Sequence, residues 1–119
     1  MKRFALSLVL VGGLLLGMTA CDESTNVQVA IQQNFGDSAA LQQKAVRVAK
    51  CESGLDADAV SPGGANHGLF QINNVHKAAV QRMGYSWSQI YDPYVNAKVA
   101  RYIYNSAGGS WSPWGCRNA

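Results

Sequence analysis

Apolar and polar positions divide the chain into a hydrophobic head, a polar stretch and a body with two amphipathic segments. Phe4 to Met18 is an apolar run with Gly12, Gly13 and Gly17 inside it, basic Lys2 and Arg3 before it and Asp22-Glu23-Ser24-Thr25-Asn26 after it. It does not alternate with polar residues, and it is short of the roughly 20 apolar residues a spanning helix needs. That pattern predicts a secretory signal peptide over residues 1–20. Residues 22 to about 36 are polar, with Val27, Val29 and Ile31 set among Asp, Glu, Asn and Gln. They read as a polar tether over 21–37, which would reach roughly 50 Å when extended. The alternative is a first packed segment using Val29, Ile31 and Phe35.

The first amphipathic segment starts at Asp37 or Ser38, either of which serves as an N-cap. Leu41, Ala45, Val48 and Glu52 then fall at i, i+4, i+7 and i+11, on one helical face, and Gly54 is a ready stop. Glu52 therefore occupies the last turn on the face carrying the apolar residues. The negative end of the helix macrodipole opposes an ionised carboxylate there, which suits a group that must hold a proton in order to donate it. A half-exposed glutamate at a frayed helix end is the plain alternative. Residues 55–67, with Asp56, Asp58, Ser61-Pro62-Gly63-Gly64 and Asn66-His67, read as a loop. Asn73 or Asn74 predicts the start of a helix through Lys77 to Met83, stopped at Gly84, and Ser86 or Ser88 opens a short turn. Asp92-Pro93 is a strong helix start, followed by Val95, Val99 and Ile103 on one face until Gly108-Gly109. No stretch reads as a strand and no segment repeats. The class is mostly α, with one small domain over 38–119.

Cysteine and charge add the compartment. Met18-Thr19-Ala20-Cys21 resembles a bacterial lipoprotein signal, with Met18 where leucine is usual. In that reading Cys21 is lipidated and anchors the chain to a membrane; cleavage after Ala20 with a free Cys21 is the alternative. Of the three cysteines, lipidation uses Cys21 and leaves Cys51 and Cys116 to pair, tying the last residues beside Glu52. Such a bridge contributes about 2–5 kcal/mol to a small exported domain. There is neither a CxxC nor a His/Cys ligand spacing, so no metal site or cofactor is expected. Ten basic residues stand against seven acidic ones, and removing Lys2 and Arg3 leaves eight against seven, a net charge near +1. With no basic patch, nucleic acid is excluded as a partner class. The expected location is the cell envelope, periplasmic or on the outer face. Asp22 directly after Cys21 also resembles the inner-membrane retention signal of Gram-negative lipoproteins.

Cys51-Glu52-Ser53-Gly54-Leu55, Ala59-Val60-Ser61-Pro62, Gly68-Leu69-Phe70-Gln71-Ile72-Asn73, Asp92-Pro93 with Asn96-Ala97, and Trp111-Ser112-Pro113-Trp114-Gly115-Cys116 occur in that order. Together they resemble the small lysozyme-like, soluble-lytic-transglycosylase type of domain over about residues 40–117. The resemblance implies a lysozyme-like α fold with a substrate groove, acting as a monomer on peptidoglycan glycan strands. It implies cleavage of the β-1,4 bond between N-acetylmuramic acid and N-acetylglucosamine, with Glu52 as the catalytic acid. Gly68, Gln71 and Asn73, with Asn66 and Trp111, are the implied sugar-binding residues, and Asn96 a structural one.

The departures narrow the chemistry. Animal-type lysozymes carry a second carboxylate two residues before the glycine of the Gly-Leu-Phe-Gln-Ile-Asn-like run. Here that position is Asn66, which can be neither nucleophile nor base. The economical route is lytic: one acid, ending in a 1,6-anhydro ring. Asp56 or Asp58 remain as bases for lysozyme-type hydrolysis, and a non-catalytic glycan-binding envelope lipoprotein is the other alternative. Tyr104-Asn105-Ser106-Ala107-Gly108 looks like a motif of larger lytic transglycosylases, but its spacing puts it inside the last helix. Tyr102 and Tyr104 are assigned to the core or groove edge instead, and His67 to loop hydrogen bonding. Groove stacking is expected only of Trp111 or Trp114. For Gln71 the alternative role is a backbone-capping amide.

Overall fold

The first helix replaces the expected tether. The structure, a computed structural model, describes residues 23–119, so the expected signal peptide and Cys21 lie outside the described residues. Within the stretch read as a polar tether, residues 23–35 form α1. Val27, Ala30, Ile31 and Phe35 are spaced for one helical face and all are buried, while Val29 points away and stays exposed. The polar residues between them occupy the solvent side. Arg101 then clasps the end of α1, donating to the Asn34 carbonyl and to both carboxylate oxygens of Asp37. This exposed pairing holds the Asp37 carboxyl below its ordinary range, chiefly through the Arg101 hydrogen bond. The packed domain thus begins well before residue 38.

α2 spans Ala39–Ser53, with the Ser38 hydroxyl accepting from Leu41 N at 3.1 Å. It ends at Gly54, which has φ +66° and donates to the Lys50 carbonyl. A left-handed residue is the usual helix terminator, and glycine adopts it without a Cβ clash. Ala45, Val48 and Ala49 are buried. The loop that follows leads into two very short antiparallel strands, β1 (Asn66–His67) and β2 (Ile72–Asn73), which pair Asn66 with Asn73 and His67 with Ile72. Two-residue strands leave no alternation in the sequence, which is why none was legible there.

Asn73 caps a 3-10 turn over Asn74–His76, and α3 (Lys77–Arg82) continues from it. A second 3-10 turn covers Trp87–Tyr91, with the Gln89 side chain accepting from Ser86 N. α4 runs Pro93–Ser106, its start fixed by Asp92, whose carboxylate accepts from Tyr94 N and Val95 N. It is the central helix: Val95, Asn96, Ala97, Val99, Ala100 and Ile103 are all buried. Leu69, Phe70 and Ile72 from the hairpin pack into the same core as Phe35 from α1 and Trp114 from the C-terminal tail. Among the described residues no helix is long and apolar enough to cross a membrane.

Candidate active site

Three consecutive residues at the end of α2 have three separate jobs. Gly54 stops the helix. The Ser53 hydroxyl donates to the Leu69 carbonyl at 2.7 Å, with the Ala49 carbonyl a second acceptor at 3.0 Å, and so pins the hairpin turn to α2. Glu52, half-buried, faces a groove of about 440 Å³. One carboxylate oxygen, Oε2, accepts from Cys116 N at 3.1 Å, and a disulfide joins Cys116 to Cys51, the residue next to Glu52. The expected pairing is therefore formed, and it brings Pro113, Trp114 and Gly115 against α2 as one wall of the groove. Oε1 has no hydrogen-bond partner among the described residues, so one oxygen is held and the other is not.

The opposite wall is the hairpin. Asn66, Gln71 and Asn73 line it. Their amides are partly occupied. Asn73 Nδ2 donates to Asn66 Oδ1 at 3.0 Å, while Asn73 Oδ1 caps Val75 N. Gln71 sits at φ +51°, and its Nε2 donates to the carbonyls of Ala59 and Gly68. That is the backbone-bracing role, combined with a place on the groove wall.

Two expected sugar contacts lie elsewhere. Gly68 is buried rather than exposed to the groove. With φ +75°, it lies under α4, where a Cβ would run into Asn96 Nδ2 and stand 2.9 Å from the Ile90 carbonyl. Its lack of a side chain lets α4 approach the turn. Trp111 is likewise not a groove residue: its ring stacks 5.1 Å from Phe35 and packs against Tyr104 and Trp114. Phe35, which belongs to the segment read as a tether, draws that indole inward. Trp114 takes the groove position, anchored by its Nε1 donating to the Phe70 carbonyl.

Asn96, which the resemblance implied to be structural, is a hydrogen-bonding hub. Fully buried, it accepts from Phe70 N at 2.8 Å and donates to the carbonyls of His67 and Ile90. His67 is buried as well. Its Nδ1 lies 2.8 Å from Tyr91 Oη and its Nε2 2.7 Å from Asn74 Oδ1. Since Asn74 Oδ1 only accepts, Nε2 carries the proton and Nδ1 accepts from the tyrosine.

Asp56 and Asp58 are not brought to Glu52. They line a separate cavity of about 470 Å³ with Glu23, Tyr91 and Pro93, and Asp56 is engaged in a local turn, accepting from Asp58 N. That cavity lacks Glu52 altogether. The groove contains instead a residue that periodicity did not single out, His76, beside Val75. Burial pushes the His76 imidazole below its ordinary value of 6.5, which keeps it neutral near pH 7. The available signal was positional: a cap at Asn73, itself a groove residue, forces the next turn to continue the groove's edge.

A family profile described as a lysozyme-like domain matches residues 14–116, a span that contains every residue of the groove and begins inside the expected signal peptide. No curated protein matches the chain, and no solved structure does.

Proposed function

The chain belongs to the lysozyme-like domain family, and from that premise we propose that it is a peptidoglycan lytic transglycosylase with Glu52 as its single catalytic acid. A glycan-cleaving activity directed at peptidoglycan goes with the family. The observation that carries the finer reading is that, among the described residues, Glu52 is the one carboxylate on the groove, with Asn66 where a second would stand and Asp56 and Asp58 in another cavity. Hydrolysis with retention needs a nucleophile about 5 Å from the acid, and inversion needs a base placed for water. Among the described residues the groove offers neither carboxylate.

In the proposed sequence, Glu52 protonates the glycosidic oxygen between N-acetylmuramic acid and N-acetylglucosamine as the C1–O bond breaks. The N-acetyl carbonyl of the same sugar stabilises the positive charge at C1. The Glu52 carboxylate, now ionised, takes the proton of the C6 hydroxyl as its oxygen closes on C1. This forms the 1,6-anhydro ring and returns the acid to its starting state. No water is consumed. The Cys116 N–H on Oε2 supports the carboxylate in its ionised phase and aims Oε1 into the groove.

We further infer an exported chain anchored to a membrane by lipid on Cys21, working in the cell envelope as a monomer. α1 begins at residue 23, two positions after Cys21 in the sequence, so a lipid on Cys21 would keep α1 close to the membrane surface. Glu52→Gln tests the central assignment. The variant is expected to sediment with insoluble peptidoglycan as the wild type does and to release no fragments. Continued release by Glu52→Gln would remove Glu52 from the chemistry, and binding without release by the wild type would leave a glycan-binding module.

A further inference from the structure

Among the described residues, Glu52 and His76 are the two titratable side chains on the groove. His76 closes a turn that is built rather than loose. Asn73 Oδ1 caps Val75 N, His67 Nε2 donates to Asn74 Oδ1, Asn74 Nδ2 donates to the Gly64 carbonyl, and Lys77 N closes on the Asn74 carbonyl. On this fixed turn Val75 is 79% exposed, an isolated large apolar side chain on a groove edge, with no packing role to account for it. A rigid rim presenting one apolar surface and one imidazole is suited to a sugar ring, whose axial C–H face is apolar and whose edge carries hydroxyls and amides.

We propose that the Val75–His76 rim contacts the glycan, with the unprotonated ring nitrogen of His76 accepting a hydrogen bond from the bound sugar, so that protonation of His76 removes that acceptor and weakens productive binding. This rests on the reading of the groove as a glycan site and names its second functional side chain. Charge acts in the same direction on the chemical step. A cationic imidazolium on the groove would oppose the positive charge that develops at C1 during cleavage. The charged neighbours leave that effect uncancelled except by Glu52 across the groove: Lys77, the next residue, is turned away with Nζ 5.5 Å from the Trp87 ring centre, and Arg82 lies at the far end of α3. Because burial lowers the His76 value, activity holds at neutral pH and falls as pH drops through a point below 6.5.

Two readouts test the proposal. The first is the His76 Cε1–H signal in NMR spectra, assigned by its disappearance in His76→Gln and followed on adding N,N′,N″-triacetylchitotriose. It is expected to titrate below the ordinary histidine value and to shift with the sugar. The second is the pH profile of fragment release. His76→Ala is expected to raise KM about tenfold, the scale of one lost hydrogen bond, with kcat less affected. His76→Gln, which keeps a hydrogen-bonding group and cannot charge, should restore most of that loss and flatten the acid limb. If the sugar shifts the Asn66 and Asn73 amide signals but leaves His76 unmoved, the rim contact is wrong and the groove reading stands. If no groove signal moves at saturating sugar, the groove reading fails and this one with it. An acid limb unchanged in His76→Gln would overturn the switch.

Discussion

Replacing Asn96 with alanine removes the one side chain that ties three otherwise separate pieces together. Its amide serves Phe70 N in the hairpin turn, the His67 carbonyl in β1 and the Ile90 carbonyl in the 3-10 turn before α4. All three bonds are buried, so alanine removes the side-chain acceptor from Phe70 N and the side-chain donor from the His67 and Ile90 carbonyls. An unmade buried hydrogen bond costs about 1–3 kcal/mol, and the carbonyls fall at the lower end because each has a second lone pair. The expected loss is about 3–5 kcal/mol, a large part of the roughly 5–15 kcal/mol typical of a domain. Urea denaturation at pH 7 measures it. Asn96→Asp sharpens the test. It keeps an acceptor for Phe70 N but sets a carboxylate oxygen against two carbonyls, so it should be at least as destabilising at neutral pH and recover partly in acid, where a protonated carboxyl can donate. Gly68→Ala should be less harmful in the Asn96→Ala background than alone, since its Cβ would no longer meet the amide; the Ile90 carbonyl and φ of +75° keep the relief partial. A loss below about 1 kcal/mol for Asn96→Ala, or additive effects of the two changes, would refute the account of this hub.

Other expectations follow from the same structure. Replacing Cys51 and Cys116 together with serine opens a loop whose ends are 65 residues apart, so stability should fall by about 4 kcal/mol. Fragment release should fall further than the folded fraction does, since the bridge also holds Cys116 N on Glu52; identical urea midpoints and rates with and without dithiothreitol would contradict this. Phe35→Ala should cost about 3–5 kcal/mol and shift the Trp111 emission, because Phe35 fills the space between Phe70, Tyr104 and Trp111. A neutral effect would mean that α1 is the tether the polar pattern suggested.

Much of this arrangement was legible in the chain, and the parts that were not share a physical cause. Helix ends were readable because caps are local: Ser38, Gly54 and Asp92-Pro93 each act within one turn of themselves. The Cys51–Cys116 bridge followed from counting, and the place of Glu52 from a single helical face. α1 was obscured because its apolar positions, Val27, Ala30, Ile31 and Phe35, are diluted by polar residues that a solvent-facing helix also carries. The exchange of Trp111 for Trp114 on the groove could not be read, since two tryptophans three residues apart are chemically alike and Phe35 decides between them. Gly68 was assigned to sugar because it lies in a motif with groove residues; only the approach of α4 shows that its neighbour is Asn96. Asp56 is four residues from Glu52 in sequence, yet the turn at Gly54 sends it to another cavity.

The most direct test of the central claim is the mass of the products. The oxidised protein is incubated with purified peptidoglycan, and the soluble fragments are weighed by mass spectrometry beside those from Glu52→Gln. A single acid on a groove without a second carboxylate predicts fragments ending in 1,6-anhydro-N-acetylmuramic acid, each lighter by one water than its hydrolysed counterpart, and none from the variant. Fragments with free reducing ends would contradict the lytic route and require a water-activating group on the groove.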